Sequence, residues 1–183
     1  MTDGLTLTDC ADPQVLQRPT PDPYAGLAIP DASVFTGWTR HSSTSISSSF
    51  TPTQNLIGYG DVPTAVFDGL SLQGEVSLGA GLYVIDGGEL KINANSIISG
   101  DGVSFLLING AELNISGTAT LDLSAFDPEN PHHRPDPFAG LLFFADRLGA
   151  PVSHTMNGNA NSDINGIVYL PNDNISYSGN SSA

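Results

Sequence analysis

Short alternating segments recur along the second half of the chain at a step of about twenty residues, and this repeat limits the possible folds most. Segments of about three residues form no stable sheet alone, so each must stack on the matching segment of the next repeat. The repeat predicts an all-β fold, a right-handed parallel β-helix (β-solenoid), with the hand taken from the rule for parallel crossovers. The clearest segments, with centres 20, 23, 41 and 21 positions apart, are Leu70-Ser71-Leu72, Leu90-Lys91-Ile92, Leu113-Asn114-Ile115, His154-Thr155-Met156 and Ile175-Ser176-Tyr177.

Each repeat carries two further segments, separated by glycine and asparagine. Stacked in parallel, their inward Leu, Ile and Val side chains would fill a narrow core, while Gly and Asn tolerate the left-handed backbone of sharp corners. An antiparallel sandwich is the rival interpretation, because Asn-Gly and Gly-Gly also form hairpins, but the regular step favours the solenoid. One set comprises Val76-Ser77-Leu78, Ile97-Ile98 and 120–123; the other, more apolar, comprises 82–85, 103–108, 140–144 and 167–170.

The region 1–65 lacks this pattern and is predicted to form an irregular N-terminal cap or first coil, with regular coils in 66–183. Five prolines between positions 11 and 30 exclude a regular helix or a central strand there. The Ser/Thr-rich run 39–53 fits either a linker or a first coil, since Ile46 and Phe50 allow a short strand. Trp38 and Tyr59 are expected to cover the open end of the solenoid, because an uncovered strand edge invites aggregation.

The net charge and the cysteine content limit the kinds of partner that the chain can bind. Nineteen acidic against five basic residues give a net charge of −14, which repels nucleic acid and anionic lipid and is typical of an exported or exposed protein. No apolar run approaches the roughly 20 residues that span a bilayer, so no membrane insertion of this fragment is expected. Cys10 is the single cysteine and has no internal partner. No cofactor is expected, although surface carboxylates leave Ca²⁺ binding open.

The insertion 126–138 interrupts the repeat and is the candidate partner-binding segment, with His132, His133, Arg134 and Asp136 as its candidate residues. A metal site built from His132, His133 and Asp136 is one alternative, but adjacent histidines in an extended chain point to opposite sides. A protein or glycan contact is the second alternative, because a proline-stiffened loop suits a contact surface. An insertion without a function is the third.

An enzyme is not expected. Polysaccharide lyases of this shape need clustered carboxylates with a basic residue, and hydrolases need two carboxylates across a groove. Asp86, Asp101 and Asp122 are predicted to occupy different coil positions, and Lys91 and Arg147 are the only basic residues within the predicted coil segments. Asp146-Arg147 at the end of an apolar strand is interpreted as structural, tying a loop by charge-assisted hydrogen bonds. A carbohydrate-active β-helix enzyme, lyase or hydrolase, remains the alternative.

Residues 138–147, Phe-Ala-Gly-Leu-Leu-Phe-Phe-Ala-Asp-Arg, resemble the YAGILFFQDR signature in the C-terminal region of Tad (tight adherence) pilus-assembly TadG-like proteins. Residues 81–90 resemble the family's GxYVIxGGxL, 100–105 resemble GTGVTFY, and 165–180 resemble GTIYLPNxxLTYSGN, in the same order. Residues 22–27 resemble DPLAGL. The resemblance covers roughly residues 11–182.

This resemblance implies a role in pilus assembly or adhesion at the bacterial cell surface, with no catalytic residues to transfer. Family members often carry further cysteines and an N-terminal membrane-anchoring helix, and they usually continue beyond the YSGN element. The expectation is therefore a non-catalytic structural or adhesive module, extracellular or in the cell envelope, and a fragment of a membrane-anchored or secreted precursor. Its expected partners are protein or glycan, and self-association through the solenoid ends is left open.

Overall fold

A computed structural model describes residues 21–130, 137–147, 149–158 and 162–179. Within these ranges a short 3₁₀ helix, Ala32–Phe35, precedes the strands, and Asp31 caps it by accepting a hydrogen bond from the Ser33 N–H. The strands are β1 Arg40–His41, β2 Thr44–Ile46, β3 Gln54–Leu56, β4 Val62–Phe67, β5 Leu70–Leu72, β6 Glu75–Leu78, β7 Gly81–Asp86, β8 Glu89–Ile92, β9 Ile97–Asp101, β10 Val103–Ile108, β11 Glu112–Ile115, β12 Thr120–Ser124, β13 Leu141–Ala145, β14 Ser153–Gly158, β15 Asp163–Asn165, β16 Ile167–Tyr169 and β17 Asn174–Gly179.

The strands wind into a parallel β-solenoid of about six turns, which confirms the predicted fold class. Sheet A follows the order β1-β4-β7-β10-β13-β16, with β3 added antiparallel to β4. Sheet B follows β2-β5-β8-β11-β14-β17, and sheet C follows β6-β9-β12-β15. Apart from β3, each strand pairs with the strand three places later in this numbering, so strands of successive coils stack on one another in every sheet. The handedness stays a prediction.

The predicted repeat is reproduced in the strand register. In sheet B, Leu70 pairs with Leu90, and Leu90 pairs with Leu113. The step of 41 residues is also in register, because Ile115 pairs with Met156 across the insertion. The run 39–53 forms the first coil: it contains β1 and β2, and Phe50 bridges to Leu78 of sheet C. Strand β4, Val62–Phe67, spans position 65.

Aromatic side chains stack at one position of the interior. Tyr83, Phe105 and Phe143 lie in register on sheet A, with 5.3 and 5.1 Å between successive ring centroids. The Tyr83 hydroxyl donates hydrogen bonds to the carbonyls of Gly79 at 2.8 Å and Phe50 at 3.2 Å, and burial raises its pKa well above the usual range. Offset rings at this spacing attract each other beyond the area that they bury, so this stack links three coils.

The central strands of sheet A, β4, β7, β10 and β13, are buried on both sides. Alternate residues of its strands, such as Tyr83, face the interior, while Leu82 and Val84 belong to a second apolar cluster on the outer side. The N-terminal segment covers this outer side through Phe35, Trp38 and neighbouring residues. Strands covered on both sides read as continuous apolar runs, which explains why the sheet A segments are the most apolar.

The sequence predicted that Trp38 and Tyr59 cover the open end of the solenoid, and this prediction is wrong. Both pack against the outer cluster on sheet A, where Tyr59 stacks on Phe138 with 6.2 Å between ring centroids. Covering a broad apolar face buries more surface than covering one narrow end, and this accounts for the placement.

Corners depend on glycine where the coils approach closely. Gly87 and Gly88 both adopt left-handed backbone angles, φ +78° and +68°. A Cβ at Gly88 would lie 2.4 Å from the carbonyl oxygen of Asp68 in the preceding coil, whereas one at Gly87 would make ordinary contact, 3.8 Å from the Asn109 oxygen. Gly88 is thus required for both angle and space, and Gly87 for angle alone.

Candidate interaction surfaces

The predicted partner-binding residues His132, His133, Arg134 and Asp136 lie outside the described residues. The two ends of the insertion are described. Phe126 and Phe138 are both buried in the outer cluster of sheet A, and Gly140 donates a backbone hydrogen bond to the Phe126 carbonyl at 2.8 Å. The insertion therefore begins and ends on the side of the solenoid that the N-terminal segment covers.

Arg147, two residues after the end of β13, holds that N-terminal segment in place. Its guanidinium donates to the carbonyls of Leu27, at 3.1 Å, and Tyr24, and its Nε donates to the Tyr169 hydroxyl at 2.9 Å. The same guanidinium lies 5.5 Å from the centre of the Tyr169 ring, within cation–π range. The structural role predicted for Arg147 is confirmed, and we call this group of residues the Arg147 clamp.

Asp22 completes the clamp. Tyr169 donates its hydroxyl hydrogen to the Asp22 carboxylate at 2.6 Å, and Arg147 lies 3.8 Å from the same oxygen. The hydrogen bond from Tyr169 holds the pKa of Asp22 below its ordinary value, helped by the Tyr24 backbone N–H. Partial burial raises the pKa of Tyr169, and the hydrogen bond to Asp22 adds to the rise. These contacts favour an ionised Asp22 in the folded chain.

His154 is a buried polar residue that sequence reasoning did not single out. It occupies an inward position of sheet B in line with leucine and isoleucine of the other coils, and its side chain has no exposed surface. Its Nδ1 accepts a hydrogen bond from the Leu113 N–H at 3.0 Å, so Nε2 carries the proton that is donated to Asp173 at 3.0 Å. Asp173 also accepts from the Val152 N–H at 3.0 Å. Both ring nitrogens of His154 are hydrogen-bonded within the chain, and Asp173 accepts from a backbone N–H as well, so this pair is structural. The sequence does carry one signal for this pair, namely a histidine at a position of the repeat where the other coils have an inward leucine or isoleucine.

The outer side of sheet B, which we call the B face, is an open array of hydroxyl and amide groups. In its central row Asn114 stands in register with Lys91 on one side and Thr155 on the other. Side chains also bond across rows: the Asn93 amide donates to the Ser71 hydroxyl at 2.7 Å, and the Asn114 amide donates to Glu89 at 2.9 Å. The central row comprises Ser45, Ser71, Lys91, Asn114, Thr155 and Ser176, and the flanks include Glu89, Glu112, Asn93, Asn157 and Ser178.

The outer side of sheet C carries a shallow groove of about 520 Å³. Asp101 and Asp122 both line it, together with three serines. The two carboxylates belong to different rows, as predicted, because Asp122 pairs with Ser99. Asp86 is elsewhere and forms an ion pair with Arg40.

Among the described residues, no group of three or more His, Cys, Asp or Glu side chains is placed to hold a metal ion. The described part of the chain also contains no helix long and apolar enough to cross a membrane. Comparisons with family models, curated proteins and solved structures give no match for this chain.

Proposed function

We propose that this chain is a non-catalytic structural and adhesive module of a bacterial cell-surface or pilus-assembly protein, and that it binds its partners through the B face. The observation that carries the proposal is the composition of that face. In a chain of net charge −14, the central row of the B face has one charged residue, Lys91, and otherwise hydroxyl and amide groups.

A glycan is the partner that this chemistry fits best. Serine, threonine and asparagine side chains each donate and accept hydrogen bonds, as sugar hydroxyls do. Neighbouring rungs of the B face repeat at the strand spacing of about 4.8 Å, a distance close to the length of one sugar unit in an extended polysaccharide. Cross-row bonds such as that between Asn93 and Ser71 hold the side chains in place before a partner arrives, which lowers the entropy cost of binding.

The resemblance to TadG-like pilus-assembly proteins supports the cell-surface part of the proposal. Three segments that carry it, residues 22–27, 138–147 and 165–172, are far apart in the chain but meet at the Arg147 clamp. The three segments thus occur together for a physical reason, because each supplies residues to the Arg147 clamp. An N-terminal segment that covers the outer side of sheet A and is fixed by the Arg147 clamp suits a rigid extracellular scaffold.

Binding to an array of neutral and acidic polysaccharides tests the proposal. The double variant Asn114→Leu with Thr155→Val removes two hydrogen-bonding groups from the B face while keeping their approximate volume and strand preference. Two neutral hydrogen bonds contribute about 1 kcal/mol each, so we expect affinity to fall about thirtyfold. Thr120→Val is the matched control, because it makes the same change on the outer side of sheet C. Unchanged affinity in the double variant, with the control also unchanged, would count against the B face.

The insertion is tested separately, because its predicted contact residues could add to the same surface function. Residues 127–137 are replaced by a short Gly-Ser linker, which retains the buried anchors Phe126 and Phe138. The solenoid should then fold with the same strand content, while attachment to cells or polysaccharide falls if the loop is a contact. Unchanged attachment would exclude the insertion as the binding segment.

The groove on sheet C favours a second candidate function, a carbohydrate-active enzyme. Two carboxylates on one groove are what acid–base hydrolysis of a glycosidic bond requires. Incubation of acidic polysaccharides with and without Ca²⁺, followed by product analysis, separates the two functions. Cleavage that Asp101→Asn or Asp122→Asn abolishes would establish the enzyme, and absence of product would exclude this activity on the polysaccharides tested.

A further inference from the structure

The B face carries a notch near the first coil. Gly69 lies in a flanking row of this face beside Glu89, since the residues that follow them, Leu70 and Leu90, are in register. Glycine has no side chain, so the row is recessed between Ser43 of the preceding coil and Glu89 of the following one. The result is a depression of about 260 Å³, which we call the Gly69 notch and which is lined by the side chains of Ser43, Thr44, Asp68, Ser71, Glu89 and Lys91.

The size and position of the Gly69 notch fit one unit of a polysaccharide. Pockets that enclose drug-sized ligands have volumes of about 300–1,000 Å³, and the notch, at about 260 Å³, lies just below that range. Ser71 and Lys91 line the notch and also belong to the central row of the B face. A polysaccharide that lies along the central row therefore passes over the notch and can place one sugar in it.

Lys91 gives the Gly69 notch a cation that is not neutralised by a direct partner. Of the three lysine and arginine side chains in the described ranges, Arg40 and Arg147 form ion pairs with aspartates. Lys91 forms no ion pair with a carboxylate of those ranges. An ammonium group only donates hydrogen bonds, so the Lys91 donors are open to an acceptor oxygen of a ligand.

The two carboxylates of the Gly69 notch are held in place and keep acceptor capacity. Asp68 accepts hydrogen bonds from Arg40 and from the Ser42 hydroxyl, each at 3.1 Å. Glu89 accepts one from the Asn114 amide at 2.9 Å. An ionised carboxylate offers about four acceptor positions, so both groups can accept a further hydrogen bond. The notch thus presents fixed acceptors beside a free donor.

The charge around the Gly69 notch is negative in spite of Lys91. Arg40 is shared between two aspartates, one of which is Asp68. Glu112 stands beside Glu89 in the flanking row. Two cations therefore face four carboxylates, a local net charge of −2. A ligand that brings a further carboxylate is placed among like charges, which is strongly unfavourable at an interface.

A neutral sugar is the ligand that this arrangement fits. Neighbouring hydroxyl groups on a sugar ring each donate and accept hydrogen bonds, so one can donate to Glu89 while the next accepts from Lys91. Hydrogen bonds to ionised groups are about twice as strong as those between neutral groups. A neutral sugar gains these bonds without adding charge.

We propose that the Gly69 notch seats one unit of a neutral polysaccharide and excludes sugars that carry a carboxylate. In this arrangement Glu89 accepts a hydrogen bond from one ring hydroxyl and Lys91 donates to a neighbouring one. The proposal rests on the proposed function, because it names the class of glycan that the B face binds. Specificity comes from repulsion of the acidic competitor as much as from attraction of the neutral ligand.

Calorimetric titration of the full chain with matched probes tests this specificity. The probes are extended oligosaccharides of glucose, mannose and galactose, each compared with the same oligosaccharide after oxidation of its primary alcohols to carboxylates. We expect at least one neutral probe to bind, and its oxidised counterpart to bind at least about tenfold more weakly. Equal or tighter binding of the oxidised probes, or binding of no neutral probe, would overturn the proposal.

Two variants with a matched control place this specificity at the notch. Glu89→Gln keeps the shape of the side chain but not its charge, so the affinity for the neutral probe should fall about fivefold while that for the oxidised probe rises. Lys91→Met should lower the affinity for the neutral probe about tenfold. Glu112→Gln is the control, because it makes the same change in the same row outside the notch. Equal effects of Glu89→Gln and Glu112→Gln would refute the notch as the specificity site.

The double variant Asn114→Leu with Thr155→Val separates failure of this inference from failure of the proposed function. If the double variant loses binding while Glu89→Gln behaves like Glu112→Gln, the B face binds glycan but the Gly69 notch does not select it. If neither the double variant nor Glu89→Gln changes the affinity, the proposed function fails together with the inference.

Discussion

Replacement of Arg147 by alanine removes the link between the N-terminal segment and the last coils. The side chain is 27% exposed and makes hydrogen bonds with the carbonyls of Tyr24 and Leu27 and with the Tyr169 hydroxyl. A hydrogen bond to a charged group contributes about 1.5–3 kcal/mol, but water can replace part of it at a partly exposed site. We therefore expect a loss of about 3 kcal/mol in the free energy of unfolding and a fall of about 10 °C in Tm. Arg147→Lys should lose about half as much, since lysine keeps the charge but not the planar fork.

The assay is urea unfolding combined with hydrogen exchange. Lys91→Ala is the control, because it removes one positive charge from an exposed position on the B face. In Arg147→Ala, exchange should accelerate first in residues 24–38, since these cover the outer side of sheet A. Binding of a hydrophobic dye should rise at the same time. If Arg147→Ala unfolds like Lys91→Ala, the clamp does not hold the N-terminal segment.

Four further substitutions test the coils and the clamp. Gly88→Ala should lower the free energy of unfolding by more than about 2 kcal/mol and Gly87→Ala by about 1 kcal/mol, because only the Gly88 variant places a Cβ against a carbonyl oxygen. Equal losses for the two variants would contradict this close approach of the coils. His154→Ala should lower the free energy of unfolding by about 2–4 kcal/mol, because it leaves the buried Leu113 N–H without an acceptor and takes one donor away from the Asp173 carboxylate; unchanged stability would contradict this role. Asp22→Asn should be less stable than the wild type at pH 7. That difference should shrink as pH falls below 3.8, because the pKa of Asp22 is lowered in the folded chain; a gap that persists at pH 2 would refute this.

The coils were predictable because one physical rule determines them. Inward residues must be apolar and must recur once per coil, so segments such as Leu90-Lys91-Ile92 carried both the strand and its register. The insertion did not hide the register, because the inward residues on either side of it, Ile115 and Met156, are still in line. The outward residues of the B face followed from the same alternation.

The N-terminal segment was less predictable, because its contacts are distant in sequence. Arg147 and Leu27 are separated by 120 positions, and the residues between positions 21 and 38 show neither a strand nor a helix period. Trp38 could be recognised as a covering residue, but nothing local indicates which surface it covers. The role of His154 could not be recognised from its segment alone, because a polar residue at an inward position becomes informative only beside its hydrogen-bond partner Asp173.

The claim that the B face binds glycan is tested most directly by residue-specific mapping. The isotope-labelled chain is titrated with a polysaccharide that binds in the polysaccharide array experiment. The NMR chemical shifts of the backbone amides are then followed in sheets B and C. If the B face binds glycan, the largest shifts are expected at Ser71, Asn114, Thr155 and their neighbours on sheet B. Shifts confined to Asp101 and Asp122 in the groove of sheet C, or to the insertion, would contradict it.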